Sequence, residues 1–260
     1  SPAMPDAHGR FVPCALIPIY NHGGTIARTV HALRAHGLPV LVVDDGSDEP
    51  TRSTLDALAR DTDDVLLLRL PHNQGKGRAI GTGLLAAREA GYSHALQIDA
   101  DGQHDTSDVP RFLGIGRAHP QALVCGAPVY DASVPRARLY GRYVTHACVW
   151  LETLSLAIRD SMCGYRLYPL EAACAEIERK PPPARMDFDT EIAVRLVWRG
   201  LPVANLSTRV TYPENGLSHF RMFRDNLRIS AMHTRLLLGM LPRAPRLLWR
   251  RLRGERACVA

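Results

Sequence analysis

The stretch "ALQIDADGQHD" (Ala95 to Asp105) closes a run of small and apolar residues with Asp99, Asp101 and Asp105, beside Gln103 and His104. Carboxylates this close repel one another unless a cation lies between them. Aspartates two apart in an extended turn aim at one point. A hard divalent ion, Mg²⁺ or Mn²⁺, takes one or two carboxylates together with substrate phosphates. Asp99 and Asp101 are therefore candidate metal ligands flanking Ala100, and Gln103 offers an amide oxygen or a hydrogen bond to a metal-bound water. A solvated acidic loop is the alternative for this stretch taken alone.

Two more stretches carry possible chemistry. In "VVDDGSDE", Asp44 and Asp45 follow an apolar run, and a carboxylate there suits ribose hydroxyls or a nucleobase imide. The plainer reading is an acidic turn that caps the next helix through Ser47 or Asp48. In "HNQGKGRAIGTG", Gly75 and Gly77 flank Lys76, so the backbone can approach a ligand while Lys76 or Arg78 meets phosphate. The spacing matches neither the Walker A loop nor the dinucleotide Gly-x-Gly-x-x-Gly pattern. A glycine-rich helix start is its alternative.

Such residues act only if the chain gathers them. "CALIPIYN", "PVLVVDDG", "DVLLLRLP", "SHALQIDAD" and "ALVCGAP" read as buried strands, separated by segments with helical spacing such as "TIARTVHALRAHG" and "TRSTLDALARD". Continuous apolar strands alternating with helices predict an α/β fold, a mostly parallel sheet covered on both faces. In such sheets ligands bind beyond the carboxyl ends of the strands. Asn21, Asp44 with Asp45, and Asp99 with Asp101 stand at those ends. After Pro128 the pattern changes to a basic linker, a long helix and a glycine-containing turn ending "GYRLYP"; "RMDFDTEIAVRLVWRG" then reads as an amphipathic helix closed by Gly200. His22, His31, His94 and His146 read as turn or packing residues, and Trp150 and Trp198 as core.

The 260 residues suffice for one large domain with an appendage. The opening "SPAMPDAHGR" reads as a frayed start without a signal-peptide core, and no apolar run approaches the ~20 residues that span a bilayer. Six cysteines without a CxxC pattern argue against a zinc site or a disulfide framework and for reduced thiols in a cytosol. The net charge of +6 is local: from His219 to Arg256 ten arginines face Asp225 and Glu255, giving +8 and leaving −2 for the rest. A basic tail with Leu237, Leu238, Leu241, Leu247, Leu248 and Trp249 suits an anionic lipid surface rather than a body-wide nucleic-acid face, or else packs on the body or a dimer partner.

Taken together, "IPIYN", "VVDDGSDE", "NQGKGRAIGTG", "DADGQH" and "DSMCGYRLYP" resemble the family 2 glycosyltransferases of GT-A fold, especially the branch of dolichol-phosphate mannose synthase and bacterial polyprenyl-phosphate glycosyltransferases. The resemblance covers roughly residues 14–169. It implies a Rossmann-like GT-A domain over 12–217 with a basic amphipathic helical tail over 218–260, and an inverting, metal-dependent transfer of sugar from a nucleotide-diphosphate donor. A UDP-sugar is favoured over a GDP-sugar on the family's base rate. The implied acceptor is lipid-linked or membrane-presented, at the inner face of the cytoplasmic membrane.

By the same resemblance Pro18, Tyr20, Asn21, Asp44, Asp45, Gly75, Lys76, Asp99, Ala100 and Asp101 would serve the donor. If the acceptor is a hydroxyl, Asp160 would be the first choice for a general base, with Asp189 and Glu191 next; a lipid phosphate, already anionic, would manage without one. Arg136, Arg138, Arg142 and Arg166 would meet acceptor phosphate. The chain departs from the pattern after its last strand: "TYPENGLSHFRMFRDN" has Pro213 for the usual Arg and His219 for Lys, so either Arg221 and Arg224, beside His219, take over the phosphate contact or the acceptor is not a polyprenyl phosphate. Within enzymes the rival is a sugar-nucleotide-forming nucleotidyltransferase. Its glycine-rich Arg/Lys loop belongs after the first strand, where "IPIYNHGGT" stands. A binding module that lost turnover is the other class, and intact Asp99, Asp101 and Asp160 weigh against it.

Overall fold

The computed structural model describes residues 11–129, 136–210, 222–253 and 258–259. Strands and helices alternate at first: β1 (Pro13–Ile19), α1 (Gly23–Ala35), β2 (Val40–Asp44), α2 (Glu49–Asp61), β3 (Val65–Arg69), α3 (Lys76–Glu89) and β4 (His94–Gln97). There follow α4 (Val109–Ala118), β5 (Leu123–Val129), α5 (Arg136–Thr153), β6 (Arg166–Pro169), α6 (Leu170–Arg179), α7 (Phe188–Arg199), β7 (Val203–Arg209), α8 (Met222–Met240), α9 (Ala244–Leu252) and β8 (Cys258–Val259).

The strands form one sheet in the order β3-β2-β1-β4-β6-β5-β7-β8. Every pairing is parallel except those of β6, which runs antiparallel to β4 and β5. The apolar runs are continuous because both faces are covered. Along β1, Cys14 and Leu16 face the layer of α3, α6 and α7, while Ala15, Ile17 and Ile19 face that of α1, α2 and α4. Burial of these side chains on both faces supplies the main stabilisation.

Two features position the site. The carboxyl ends of β1, β2 and β4 share one edge, and the order reverses direction at β1, which opens a crevice there. The segment "RLYP", read from sequence as the end of a turn, is β6. Because it is antiparallel, with Arg166 opposite Gln97, it begins at the same edge and carries the loop from Asp160 to Tyr165 to it.

The basic tail is not free of the body. Met232, Leu236 and Met240 of α8 and Leu247 of α9 are buried. His233 Nδ1 lies 2.7 Å from Glu152 Oε1, Arg235 Nη2 lies 3.1 Å from Glu191 Oε2, and Arg250 Nη1 donates to the Trp198 carbonyl at 3.2 Å. Leu238, Leu241, Leu248, Trp249 and Leu252 remain exposed. Trp150, expected in the core, is 37% exposed, with its indole N–H donated to the Ile158 carbonyl. All six cysteines are free thiols.

Candidate active site

The acidic turn after β4 is held from below. Thr25 Oγ1, in the first turn of α1, donates to the Ala100 carbonyl at 2.6 Å, which buries Ala100. The backbone N–H of Gln103 donates to Asp101 Oδ1 at 3.0 Å. The cation in this turn is Lys76: Nζ lies 2.7 Å from Asp99 Oδ1, 2.9 Å from Oδ2 and 3.5 Å from Asp189 Oδ2. Burial pushes the Asp99 carboxyl up, but Lys76 and His104 outweigh it and hold the group well below the usual carboxylate range. Burial and the charge on Asp99 together push Asp101 up. Burial lowers Lys76, yet Asp99 and Asp189 hold it above the ordinary lysine range.

The turn fits a divalent ion. Asp99 Oδ1 is buried and accepts no hydrogen bond, because the nearby ammonium is not aligned for one. Among the described residues no three His, Cys, Asp or Glu side chains converge as a ready-made cage. An ion at Asp99 and Asp101 would therefore complete its shell with donor phosphates and water, as Mg²⁺ and Mn²⁺ commonly do.

Lys76 opens α3, and the glycines around it answer to packing. Gly75 has φ of 106°, and a Cβ on it would collide with the Ala184 carbonyl. A Cβ on Gly77 would lie 2.5 Å from Phe188 Cβ and from the Pro183 carbonyl oxygen. The segment that leads into α7 thus lies directly on "GKG". Its close approach carries Asp189, in the first turn of α7, to Lys76. These glycines, expected to admit a ligand, admit the protein's own chain.

Of the residues expected at the donor, both aspartates are buried. Asp44 is fully enclosed: Oδ1 accepts from Ser47 N at 2.9 Å and Oδ2 from Arg69 Nε at 3.0 Å. It shapes the turn and offers no oxygen to a donor, contrary to expectation. Asp45 accepts from the backbone N–H groups of Gln74 and Gly75 at 2.7 and 2.8 Å, latching the loop before α3. Burial pushes its carboxyl up against those bonds. Asn21, at φ of 57°, accepts from Asp48 N and donates its own N–H to Ser47 Oγ, tying the turn after β1 to that after β2. Pro18 is buried in β1, and Tyr20 follows it half-buried at the edge.

On the other flank of the crevice, Asp160 is buried and fully engaged. Oδ1 accepts from Met162 N and Cys163 N at 2.8 and 2.9 Å, and Oδ2 from Arg142 Nε at 2.6 Å. His146, one turn beyond Arg142 on α5, brings Nε2 to 3.7 Å from Oδ2. Burial raises the Asp160 carboxyl, but Arg142 and His146 overcome this and lower it below the ordinary range. A carboxylate so held is a poor proton acceptor.

Asp189 accepts from Gln97 Nε2 at 3.1 Å in addition to its contact with Lys76. Glu191, the third acid considered, is buried against Arg195 and Arg235, tying α7 to α8. Arg166, expected at acceptor phosphate, is fully buried: its guanidinium donates to the carbonyls of Ser161 and Asp189. It staples the Asp160 loop to the start of α7, because β6 is an interior strand with both faces covered. Arg136 begins α5, and its side chain and those of Arg138 and Arg224 lie outside the described residues, as do His219 and Arg221.

Three site residues escaped sequence reasoning. His104 reaches 3.8 Å from Asp99 Oδ2 and packs on Tyr165. His146 had a signal, its i, i+4 spacing from Arg142 on one helix. Gly164 had none: a Cβ on it would lie 2.9 Å from both Asp99 oxygens and from Lys76 Nζ, so its backbone roofs the pair.

The sheet order, its single reversed strand and the acidic edge define a GT-A fold. The glycosyl transferase family 2 model matches residues 14–163, and the chain belongs to that family. It is 27% identical over 222 residues to a dolichyl-phosphate beta-glucosyltransferase of Dictyostelium discoideum, a match covering 77% of this chain and 64% of that protein. It is 28% identical over 233 residues to polyprenol monophosphomannose synthase of Mycolicibacterium smegmatis, covering 82% of each.

The fold resembles glucosyl-3-phosphoglycerate synthase from Mycobacterium tuberculosis solved with UDP (TM-score 0.64, 17% identity, 89% of this chain and 79% of that one). It also resembles a mannosyltransferase from Pyrobaculum calidifontis solved with GDP-Man and Mn²⁺ (TM-score 0.55, 18% identity, 95% and 76%).

Proposed function

We propose that the protein is an inverting glycosyltransferase that moves a sugar from a nucleotide-diphosphate donor, with UDP preferred, to a lipid-linked phosphate at a membrane surface. The observation that carries this reading is the pairing of two unlike clusters across the Gly164 loop: carboxylates in excess around Lys76, and Arg142 oriented by Asp160. Asp99 and Asp101 would hold the divalent ion, which supplies charge neutralisation of the departing diphosphate. Tyr20 and Asn21 stand at the base and ribose side of the crevice, with Pro18 and Asp45 buried behind them, and Lys76 stands toward the phosphates. Relatives named for dolichyl-phosphate and polyprenol acceptors support the acceptor class. The UDP and the GDP-Man with Mn²⁺ in the solved neighbours support the donor class and the metal.

The state of Asp160 favours an anionic acceptor. A hydroxyl acceptor needs a base with a free lone pair, whereas a phosphate is already ionised. Asp160 spends its oxygens on Arg142 and two backbone N–H groups, so its role is to aim Arg142 at the acceptor phosphate.

No helix among the described residues is long and apolar enough to cross a membrane. The exposed Leu248, Trp249 and Leu252 beside the arginines of α9 suit peripheral contact with anionic lipid.

The test is transfer of labelled sugar with Mn²⁺ to a polyprenyl phosphate and to the matching polyprenol. Transfer to the phosphate alone is expected, and transfer to the alcohol alone overturns the acceptor. Thermal stabilisation by UDP, GDP, dTDP and CDP with Mn²⁺ identifies the base.

A further inference from the structure

The chain has 32 basic Lys and Arg residues, and only two of them, Lys76 and Lys180, are lysines. Thirty arginines meet every other need for positive charge. One of the two lysines lies in the acidic crevice with its ammonium against Asp99 and within 3.5 Å of Asp189. Arginine would bring a planar fork that fixes one geometry. Lysine brings a compact point charge on a flexible stem, which can leave one anion for another.

The surroundings fit an exchangeable cation. Asp99, Asp101 and Asp189 carry three formal negative charges against Lys76 and the buried Arg166 behind Asp189, so the cluster keeps an excess of one. Asp99 Oδ1 keeps an unfilled acceptor position even with the ammonium beside it. The Gly164 backbone closes over the pair, so a Cβ there would touch both Asp99 oxygens and Nζ. An ion reaching Asp99 thus enters a space that the ammonium already shares.

We infer that Lys76 is a tethered cation that competes with the divalent ion for Asp99, holding the crevice together in the free protein and turning to the donor diphosphate once the ion is bound. This rests on the metal-dependent reading above. It adds that free protein binds Mn²⁺ more weakly than its carboxylates alone would.

The experiment is titration of the protein with Mn²⁺ alone, reading free ion by electron paramagnetic resonance, for wild type, Lys76→Gln and Lys76→Arg. Removing a unit charge within ~4 Å of the ion, at an effective dielectric of about 20, should tighten binding by at least about tenfold. K76Q is therefore expected to bind Mn²⁺ at least about tenfold more tightly than wild type, with K76R, which keeps the charge and fixes its geometry, no tighter than wild type. Equal or weaker binding by K76Q overturns the inference while leaving the metal site intact. Failure of both wild type and K76Q to bind Mn²⁺, with or without UDP or GDP, overturns the metal-dependent reading and the inference with it.

If K76Q does not fold, wild type carries the test, because two lysines give two resolvable side-chain signals by NMR. Mg²⁺ should shift the Lys76 signal and leave that of Lys180 in place. An unmoved Lys76 signal at saturating Mg²⁺ overturns the inference.

Discussion

The two charge clusters that face the crevice are built from similar residues and have opposite balances. Around Lys76, Asp99 and Asp189 share one ammonium with Asp101 close by, Arg166 supports Asp189 from behind, and a buried Asp99 oxygen accepts no hydrogen bond. Around Asp160, one carboxylate is matched by Arg142, approached by His146 and hydrogen-bonded by two backbone N–H groups. A cluster with excess charge recruits a ligand of the opposite sign. A satisfied one holds its members still. The first therefore suits metal and diphosphate, and the second suits a role in orienting Arg142.

The sharpest break is Asp101→Ala. If the excess of charge draws the ion, this protein loses its Mn²⁺-dependent stabilisation by nucleotide, and turnover drops by about 10²–10³-fold, the scale seen when one preorganised electrostatic partner is removed. Stabilisation unchanged from wild type would place the ion elsewhere.

Asp160→Asn probes the satisfied cluster. As an anchor for Arg142 rather than a base, it should raise KM for the lipid phosphate about tenfold, with kcat and its pH profile little changed. Loss of kcat with an unchanged KM would restore the base. Linkage gives the same residue a pH signature. Its folded pKa lies below the unfolded value of about 3.9, so it stabilises the fold above that value. That contribution is lost as pH falls through the folded pKa. The stability gap between wild type and D160N, read from denaturant midpoints, should be largest above about pH 5 and should close in acid.

Gly164→Ala tests the contact between the clusters. Its methyl would press on Asp99 and Lys76 and weaken Mn²⁺ binding several-fold, with a smaller effect on the melting temperature. Glu191→Gln is the mildest for chemistry. Turnover should stay within about twofold, while stability falls by about 1–3 kcal/mol as Arg195 and Arg235 lose a buried charged partner.

The first half of the chain, proposed to bind the donor, was far more legible than the second, proposed to bind the acceptor. Five strands and the acidic edge followed from apolar runs that end in short polar turns, each legible among neighbouring residues, and the family from the resemblance of five motifs. In the second half, "RLYP" is too short to show a period, so β6 and the reversal it brings passed as a turn. Arg166 looked like a phosphate ligand because nothing local marks an arginine as buried. The basic tail was readable as helical and amphipathic. Which of its leucines meet the body depended on α5 and α7, whose docking faces the sequence does not display.

By itself, then, the sequence determined the alternation of strands and helices, the edge at which Asp45, Asp99 and Asp101 collect, and the family. Periodicity and turn chemistry are properties of neighbouring residues. Only the tertiary structure decided that Asp189 meets Lys76, that Asp160 is held by Arg142, and that the chain before α7 packs on the glycines of "GKG". Those contacts join residues far apart in the chain, and the excess or balance of charge they create exists only once the sheet has brought them to one edge.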